Sequence, residues 1–175
     1  MKVVAINSLK NGSPAKIMGW ILDSVKEELP IDVFPFYGTW KDSEIDPNLF
    51  GYKSEVLLSG VFSKITGIHG IWNILGTHKL IKRLAAISPD IIHLHNIHMW
   101  NINIPMLFAF IKKNNIRVVW TLHDCWAFTG QCPYFSAVDC NKWRDGCGKC
   151  EQLKRYPGSI IDNTRLMYNF TRKWF

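Results

Sequence analysis

The sequence predicts an α/β fold built on a parallel sheet. Short apolar runs at residues 3–6, 31–36, 90–94 and 116–122 are typical of strands, and segments with helical spacing of apolar residues separate them. The predicted order is β-α-β-α-α-β-α-β, and strands joined by helical crossovers lie parallel. Such an arrangement is Rossmann-like, with helices on both faces of the sheet and with ligands at the carboxyl edge of the strands.

The predicted helices cover residues 14–25, 54–66, 77–87, 105–111 and 159–175. Ser13 is the expected N-cap of the first helix, with Pro14 at its first turn, and Pro105 has the same position in the fourth. Residues 37–51 are rich in Gly, Pro, Asp and Asn and are expected to form a loop. Pro35 favours a position for the second strand at a sheet edge.

Composition limits the class of protein. The chain has 175 residues of which 47% are hydrophobic, enough for one domain with a real core, so residues 1–175 are expected to form a single domain. No apolar run approaches the ~18 residues of a membrane span, and the start does not resemble a signal peptide, so a cytoplasmic location is expected. The aromatic end at Trp174 and Phe175 leads us to expect that the chain is truncated.

Basic residues concentrate in the last part of the chain. The net charge is +7, and residues 141–175 contribute +5 of it through eight Lys/Arg and three Asp/Glu. Such a patch suits phosphate, anionic lipid or nucleic acid, or is a solvated face. The helix pair at residues 54–66 and 77–87, with an apolar connector at residues 71–75, could rest on the inner face of a membrane or form ordinary core and subunit contacts.

Polar clusters follow the third and fourth predicted strands. His95, Asn96 and His98 end the third strand, and His123 with Asp124 ends the fourth. His93 shares a face with His95 but lies deeper in the strand, so we expect it to be a satisfied core histidine. The carboxyl ends of parallel strands meet at one edge, which predicts one pocket containing both clusters. His123 and Asp124 are therefore the candidate catalytic residues.

The loop after the first strand is a second candidate binding element. Gly12, Ser13 and Lys16 stand where a strand passes into a helix, and the free N–H groups of a helix N-terminus attract anions. One glycine and no GxGxxG pattern leave a plain turn equally compatible with this sequence.

Four cysteines form the third constellation. They have the spacing C-x7-C-x6-C-x2-C and lie in a Cys-rich insertion at about residues 125–157: Cys132, Cys140, Cys147 and Cys150. Four thiolates at such separations can close a tetrahedral, structural Zn²⁺ site. Disulfides, redox switching and free thiols are the alternatives. Cys125, outside this set, is expected to be a buried, unreactive thiol.

The sequence resembles one branch of bacterial glycosyltransferases. The similarity lies in residues 93–98, in residues 119–130 and in the cysteine loop with Trp143 and Tyr156-Pro157. This branch comprises the family 4, GT-B-type enzymes of capsular polysaccharide, exopolysaccharide and colanic-acid assembly. The resemblance extends over essentially the whole chain and is densest between residues 89 and 157.

The resemblance implies a retaining transfer of a sugar from a nucleotide-sugar donor to a saccharide or lipid-linked saccharide acceptor. GT-B enzymes have two Rossmann-like domains, and this chain is similar only to the amino-terminal, acceptor-side one. The paired-glutamate motif of the donor domain is absent from the sequence, so the chain is expected to be inactive without a carboxyl-terminal donor domain.

The resemblance also implies roles for particular residues. Gly12 and Ser13 match the loop near the donor phosphates, where Lys16 replaces the usual Arg, and His123 matches the histidine near the transferred sugar. His95, Asn96 and His98 match the acceptor-side cluster.

Two other classes of function remain open on the residues alone. One is a zinc-knuckle binding module for a protein or nucleic acid, with Tyr134, Phe135 and Trp143 available for base stacking, although nucleic acid is the less expected partner. The other is a free-standing enzyme that uses His123 and Asp124 as an acid/base pair on a small phosphorylated ligand.

Overall fold

A computed structural model describes residues 1–39, 46–98 and 100–175 of the chain. It contains one four-stranded sheet in the order β2-β1-β3-β4, and every pair of neighbouring strands is parallel. The α/β, Rossmann-like prediction is therefore confirmed. The strands are β1 (Lys2–Leu9), β2 (Asp32–Thr39), β3 (Ile91–Leu94) and β4 (Arg117–Trp120).

Within the described residues, five helices connect and cover the strands. They are α1 (Ser13–Glu28), α2 (Lys53–Thr66), α3 (Ile74–Ile87), α4 (Ile104–Lys113) and α5 (Thr164–Trp174). In the part of the chain that the structure describes, no helix has the length and apolarity needed to cross a bilayer.

The main core lies between the sheet and the helices that follow β2 and β3. β1 and β3 occupy the centre of the sheet, and the side chains of Val4, Ile6, Ile92 and Leu94 have no solvent exposure. Leu80 and Leu84 of α3 and Leu107 of α4 are also fully buried in this cluster. Burial of apolar surface on this scale is what holds the strand ends, and with them the polar clusters, in fixed positions.

The first helix begins differently from the prediction. Gly12, not Ser13, is the N-cap of α1, with a φ of 102°, and no side chain caps the helix. Gly12 adopts this positive φ without the strain that a Cβ would bring.

The second strand and the following loop also differ in extent. β2 continues to Thr39, three residues beyond the predicted strand end, and pairs with β1 along its whole length. Leu49 and Phe50, in the predicted loop, are buried against this end of the sheet. The prediction that residues 40–45 belong to a loop lies outside the described residues.

An apolar strand in a sheet with helices on both faces is expected to be buried, but β4 is not. Val118 and Val119 are 37% and 51% exposed, because β4 is an edge strand in the described sheet and pairs only with β3. An apolar run has the same sequence signature in a central strand and in an edge strand whose outer face is uncovered.

The last helix starts five residues later than predicted. Asp162 accepts hydrogen bonds from the Thr164 amide and hydroxyl at 3.0 and 2.6 Å, which ends the irregular segment and starts α5. Ile160 and Ile161 consequently lie outside the helix and are exposed, whereas Met167 reaches the core. The aromatic end does find partners, since the Phe175 ring lies 4.6 Å from that of Trp120 and 5.0 Å from that of Phe108.

Between β4 and α5 the chain has only two single-turn 3-10 helices, Trp126–Phe128 and Phe135–Val138. This segment, residues 121–163, is called the Cys-rich loop below. Loops of this length without regular structure usually serve a function.

Candidate functional site

The two histidine clusters meet at the carboxyl edge of the sheet. His95 Nδ1 lies 2.9 Å from His123 Nε2, and the two rings are stacked with centroids 5.2 Å apart. β3 and β4 run parallel with Leu94 opposite Trp120, so both chains leave the sheet at the same level. The two clusters therefore share one edge of the sheet, as predicted, and the space that they line together is small, about 10 Å³.

His93 has a structural role, as expected. Its Nε2 atom lies 2.8 Å from the Thr121 hydroxyl, and its ring centroid lies 4.3 Å from that of His95. His93 and His95 therefore share one face of β3, and His93 is satisfied within the protein.

A second pair stands beside the first. His98 Nε2 lies 2.8 Å from Asp124 Oδ2, and both side chains are almost completely buried. Asp124 Oδ1 accepts the amide of Trp126 at 2.9 Å, and the Tyr156 hydroxyl lies 3.5 Å from His98 Nδ1. Both carboxylate oxygens of Asp124 and both ring nitrogens of His98 therefore have a polar partner within the protein.

Asn96 connects the site to the neighbouring strand. Its amide donates to Asn7 Oδ1 at 3.0 Å, and its carbonyl accepts the Ser8 amide at 2.7 Å. The Trp120 indole N–H donates to the His95 carbonyl at 2.8 Å. These bonds fix the backbone of residues 95 and 96 from both sides, so the role of Asn96 seen here is backbone positioning.

Burial keeps the imidazoles of His95 and His123 neutral. Burial, together with the charges of His93 and His123, lowers the pKa of His95 to about 3. The pKa of His123 is also lowered by burial, although the carboxylate of Asp124 partly offsets this effect. Both imidazoles are therefore uncharged at neutral pH.

The tautomers of His95 and His123 can be assigned from the hydrogen-bond partners of their ring nitrogens. His95 Nε2 is buried and has no partner among the described residues. A buried N–H without an acceptor costs more than an acceptor without a donor, so we assign the His95 proton to Nδ1, which donates to His123 Nε2. His123 then carries its proton on Nδ1 and, being partly exposed, can donate it to a ligand oxygen.

Asp124 stays ionised beside them. Burial would raise its pKa, but the hydrogen bond and charge of His98 and the bond from the Trp126 amide outweigh burial and hold the pKa below its ordinary value. Burial and the charge of Asp124 raise the pKa of Tyr156, so its hydroxyl remains a donor. The site thus combines a neutral imidazole donor with a fixed negative charge, an arrangement that can orient a hydroxyl or stabilise developing positive charge.

The first loop lies at the same edge but outside this cluster. Gly12, Ser13 and Lys16 are exposed at the N-terminus of α1, whose first N–H groups no side chain caps. No hydrogen bond or ring contact between them and the histidines occurs among the described residues. This geometry is compatible with an anion site adjoining the histidine cluster.

Two open clefts lie beside Trp100, and the second of them reaches the His98–Asp124 pair through Tyr156. They have volumes of about 480 and 440 Å³ and lie on either side of Trp100 and Lys64. The second cleft also has Tyr156 and Lys154 in its wall, so it reaches the residue that contacts His98. The Lys64 ammonium stands 5.8 Å from the Trp100 ring centre.

The four cysteines of the predicted metal site come together. They line one small cavity of about 20 Å³ in the Cys-rich loop: Cys132, Cys140, Cys147 and Cys150. Within residues 1–39, 46–98 and 100–175, no three His, Cys, Asp or Glu side chains are arranged to hold a metal. Cys125 does not line this cavity and is half-buried, less buried than predicted.

The aromatic residues of the same loop pack on one another. The Phe135 and Trp143 rings are 5.1 Å apart, and Phe128 contacts both at 6.2 and 5.5 Å. They form a small apolar cluster beside the cavity, whereas Tyr134 is exposed. A stacking platform for nucleic-acid bases needs ring faces open to solvent, so this packing favours the other readings of the loop.

Sequence reasoning gave no site role to three residues. Thr121 satisfies His93, Trp120 holds the His95 carbonyl, and Tyr156 contacts His98 from 58 positions along the chain. Thr121 and Trp120 could have been identified from the parallel register. Tyr156 could not, because only the path of the irregular loop brings it back to the sheet.

Comparison with known proteins gives one informative similarity. The chain is 32% identical over 103 residues to "Putative colanic acid biosynthesis glycosyl transferase WcaC" of Escherichia coli (strain K12). The aligned stretch is 56% of this chain and 24% of that protein, so the chain spans about a quarter of the relative's length. No protein-family model and no solved structure matches the chain. The similarity supports a glycosyltransferase relationship for this α/β protein.

Proposed function

We propose that this chain is the acceptor-binding half of a retaining, GT-B-type glycosyltransferase. The observation that carries the proposal is the pairing of His95 with His123 and of His98 with Asp124 at the carboxyl edge of a parallel sheet. Ligands of such sheets bind at this edge. The similarity to the E. coli protein supports sugar transfer as the chemistry.

In this proposal the two pairs have different tasks. The neutral His123 donates from Nδ1 to a hydroxyl of the transferred sugar, and His95 fixes the tautomer that makes this possible. Asp124, held ionised by His98, provides the negative charge that favours a developing oxocarbenium ion. Gly12, Ser13 and Lys16, at the uncapped start of α1, would approach the donor phosphates.

The acceptor would bind in the clefts beside Trp100. An indole face packs well against the C–H face of a sugar ring, and Lys64 and Lys154 in the cleft walls suit the phosphates of a lipid-linked saccharide. Tyr156 extends the second cleft to His98, so an acceptor bound there would come close to the reacting centre.

The nucleotide-sugar donor would bind to a carboxyl-terminal domain of the same architecture. In the proposed two-domain enzyme, this chain binds the acceptor and the carboxyl-terminal domain binds the donor nucleotide. The proposed location is the cytoplasm, on the inner face of the membrane, where nucleotide sugars and lipid-linked acceptors meet.

The contact with the membrane would be made by α2. Five apolar side chains of this helix are exposed: Leu57, Leu58, Val61, Phe62 and Ile65. Lys53 and Lys64 belong to the same helix and suit the negative charge of the inner leaflet. We commit to an anionic lipid surface as the occupant of this face.

Reconstitution tests the proposed transfer. The chain alone, and the chain fused to a carboxyl-terminal nucleotide-sugar-binding domain, are incubated with a panel of radiolabelled nucleotide sugars and lipid-extracted acceptors. We expect transfer only by the fusion and a loss of about 10²- to 10⁴-fold in His123→Ala, the usual contribution of a positioned acid or base. His78→Ala is the matched control, because His78 is an exposed histidine on α3.

Two outcomes would overturn the proposal. Turnover by the isolated chain on a small phosphorylated ligand, lost in His123→Ala, would establish the free-standing acid/base enzyme instead. Equal rates of transfer by the His123→Ala fusion and the unchanged fusion would show that His123 takes no part in the reaction.

A further inference from the structure

The Cys-rich loop is held in a defined shape by few regular elements. Its 43 residues, 121–163, contain two single-turn 3-10 helices and lie between β4 and α5. An irregular segment of this length loses much conformational entropy on folding, and burial of a few aromatic rings offsets only part of that loss. A cross-link in the middle of the loop would supply the missing stabilisation.

The four cysteines line one cavity, although no three of them are already arranged to hold a metal, so a cross-link through a metal requires their sulfurs to move closer together. The cavity of about 20 Å³ has room for roughly one water-sized sphere. Gly146 and Gly148 have φ angles of 107° and 124°, which let the chain reverse tightly between Cys140 and Cys150. Cys147 and Cys150, three positions apart in this turn, both reach the cavity wall.

Hydrogen-bond donors already point at the sulfur atoms. The Gly130 amide donates to Cys147 Sγ at 3.2 Å, and the Gln152 side-chain amide donates to Cys132 Sγ at 3.2 Å. N–H donors of this kind orient thiolate ligands and stabilise their charge in metal sites.

Lys142 and Glu151 both line the cavity and form an ion pair at 3.1 Å. The Lys142 ammonium also donates to the Lys149 carbonyl at 2.9 Å, so this pair holds the Cys147–Cys150 turn in place.

We infer that Cys132, Cys140, Cys147 and Cys150 bind one structural Zn²⁺. All four positions are filled by sulfur, so the ion leaves no open site for chemistry. The four thiols are free in the structure, and binding would draw their sulfurs to about 2.3 Å from a common centre within the cavity.

The site would connect the two halves of the loop that reach the histidine cluster. On one side the Cys125 amide donates to the Pro133 carbonyl at 2.9 Å, next to Asp124. On the other side Gln152 donates to the Tyr134 carbonyl at 2.8 Å, four positions before Tyr156. The ion would thus hold Asp124 and Tyr156 around His98, although the inference itself does not depend on sugar transfer.

Metal analysis of the purified chain tests the inference. We expect about one zinc per chain by plasma mass spectrometry, and loss of that zinc in Cys147→Ser. Cys125→Ser is the matched control and should keep the metal, because Cys125 does not line the cavity. Replacement of zinc by Co²⁺ should give the visible and near-ultraviolet bands of tetrahedral cobalt thiolate.

The Co²⁺ titration of the unchanged, reduced chain decides the matter if Cys147→Ser does not fold. A metal-free chain in which all five cysteines react with Ellman's reagent in the native state would overturn the inference. Disulfides found by non-reducing mass spectrometry, or an octahedral cobalt spectrum, would overturn it as well. None of these results depends on transferase activity.

Discussion

His95 shows how strongly a buried position can change one side chain. The residue has no solvent exposure, and burial with the charges of His93 and His123 lowers its pKa to about 3. An imidazole with such a low pKa is a weak base and is poorly suited to take up a proton near neutral pH. Its value to the site is the fixed hydrogen bond to His123, so we regard His95 as a positioning residue.

The charge of Asp124 should be visible in the titration of His123. In Asp124→Asn the carboxylate that raises the pKa of His123 is lost, so the pKa of that imidazole should fall further below its ordinary value. The measurement is an NMR titration of the His123 ring protons. Asp23→Asn, at an exposed position on α1, should leave the curve unchanged. A rise in the pKa of His123 would contradict the electrostatics described for this site.

A second buried histidine should make stability depend on pH. Burial lowers the pKa of His69 to about 4, and its Nε2 atom lies 3.2 Å from the Ser159 hydroxyl. The unfolded chain therefore binds the proton more readily, so the free energy of unfolding is highest above about pH 6.5 and falls as the pH drops toward 4. The loss from this group is on the order of 3 kcal/mol at most.

Urea unfolding of His69→Gln at pH 7, 5.5 and 4.5 checks this dependence. The variant cannot be protonated, so its free energy of unfolding should fall less between pH 6.5 and 4 than that of the unchanged chain. His78→Gln, at an exposed position, should keep the full dependence. Parallel curves for His69→Gln and the unchanged chain would show that His69 is not the group responsible.

At the scale of elements, the contact between the Cys-rich loop and α5 is unusually close. A Cβ on Gly130 would lie 2.1 Å from the Thr164 carbonyl oxygen and 2.9 Å from Cys147 Cβ. The loop and the first turn of α5 therefore meet with no space for a methyl group. The same contact brings Cys147 to the cavity, since the Gly130 amide donates to its sulfur.

Gly130→Ala should therefore destabilise the protein by about 1–3 kcal/mol, the usual cost of overpacking. Gly19→Ala is the matched control, because nothing lies within 4 Å of its added Cβ in α1. That change should raise stability by about 0.5–1 kcal/mol, since alanine favours a helix interior over glycine. Both values come from urea unfolding at pH 7. Equal effects of the two substitutions would contradict the close approach at Gly130.

Several elements were predictable because their apolar periodicity is local. The apolar residues of β1, α3 and α4 predict the type and approximate position of these elements correctly, although β1 continues to Leu9 and α3 begins at Ile74, three residues before its predicted start. β4 was misjudged, since an edge strand and a central strand can share the same run of Val and Trp. The start of α5 was missed because the Asp162 turn, and not the apolar pattern, decides where the helix begins.

At the scale of the whole molecule, the exposed apolar face of α2 is the most specific surface feature. Leu57 and Val61 are 70% and 45% exposed on a chain with a net charge of +7. An apolar ridge with basic neighbours binds anionic bilayers by both burial and charge.

Leu58→Glu should weaken binding to vesicles of phosphatidylglycerol and phosphatidylethanolamine by about tenfold or more, because it removes an exposed leucine that the bilayer would bury and adds a charge that anionic lipid repels. Leu58 is chosen because, unlike Leu57, it does not line the cleft proposed for the acceptor. Co-sedimentation at low and high salt measures the change. Trp20→Glu is the control, since Trp20 is a similarly exposed apolar residue on α1, a different helix. Loss of binding in the control alone would assign the membrane contact to α1.

The sequence by itself determined the α/β class, the order of most elements and the presence of polar clusters after the third and fourth strands, because these depend on short-range periodicity and on the rule that crossover strands lie parallel. Only the tertiary structure decided which histidine pairs with which group, that Tyr156 returns to His98, and that four cysteines share one cavity. These contacts join residues 3 to 58 positions apart, often through irregular chain, and no local pattern encodes the path of such a segment.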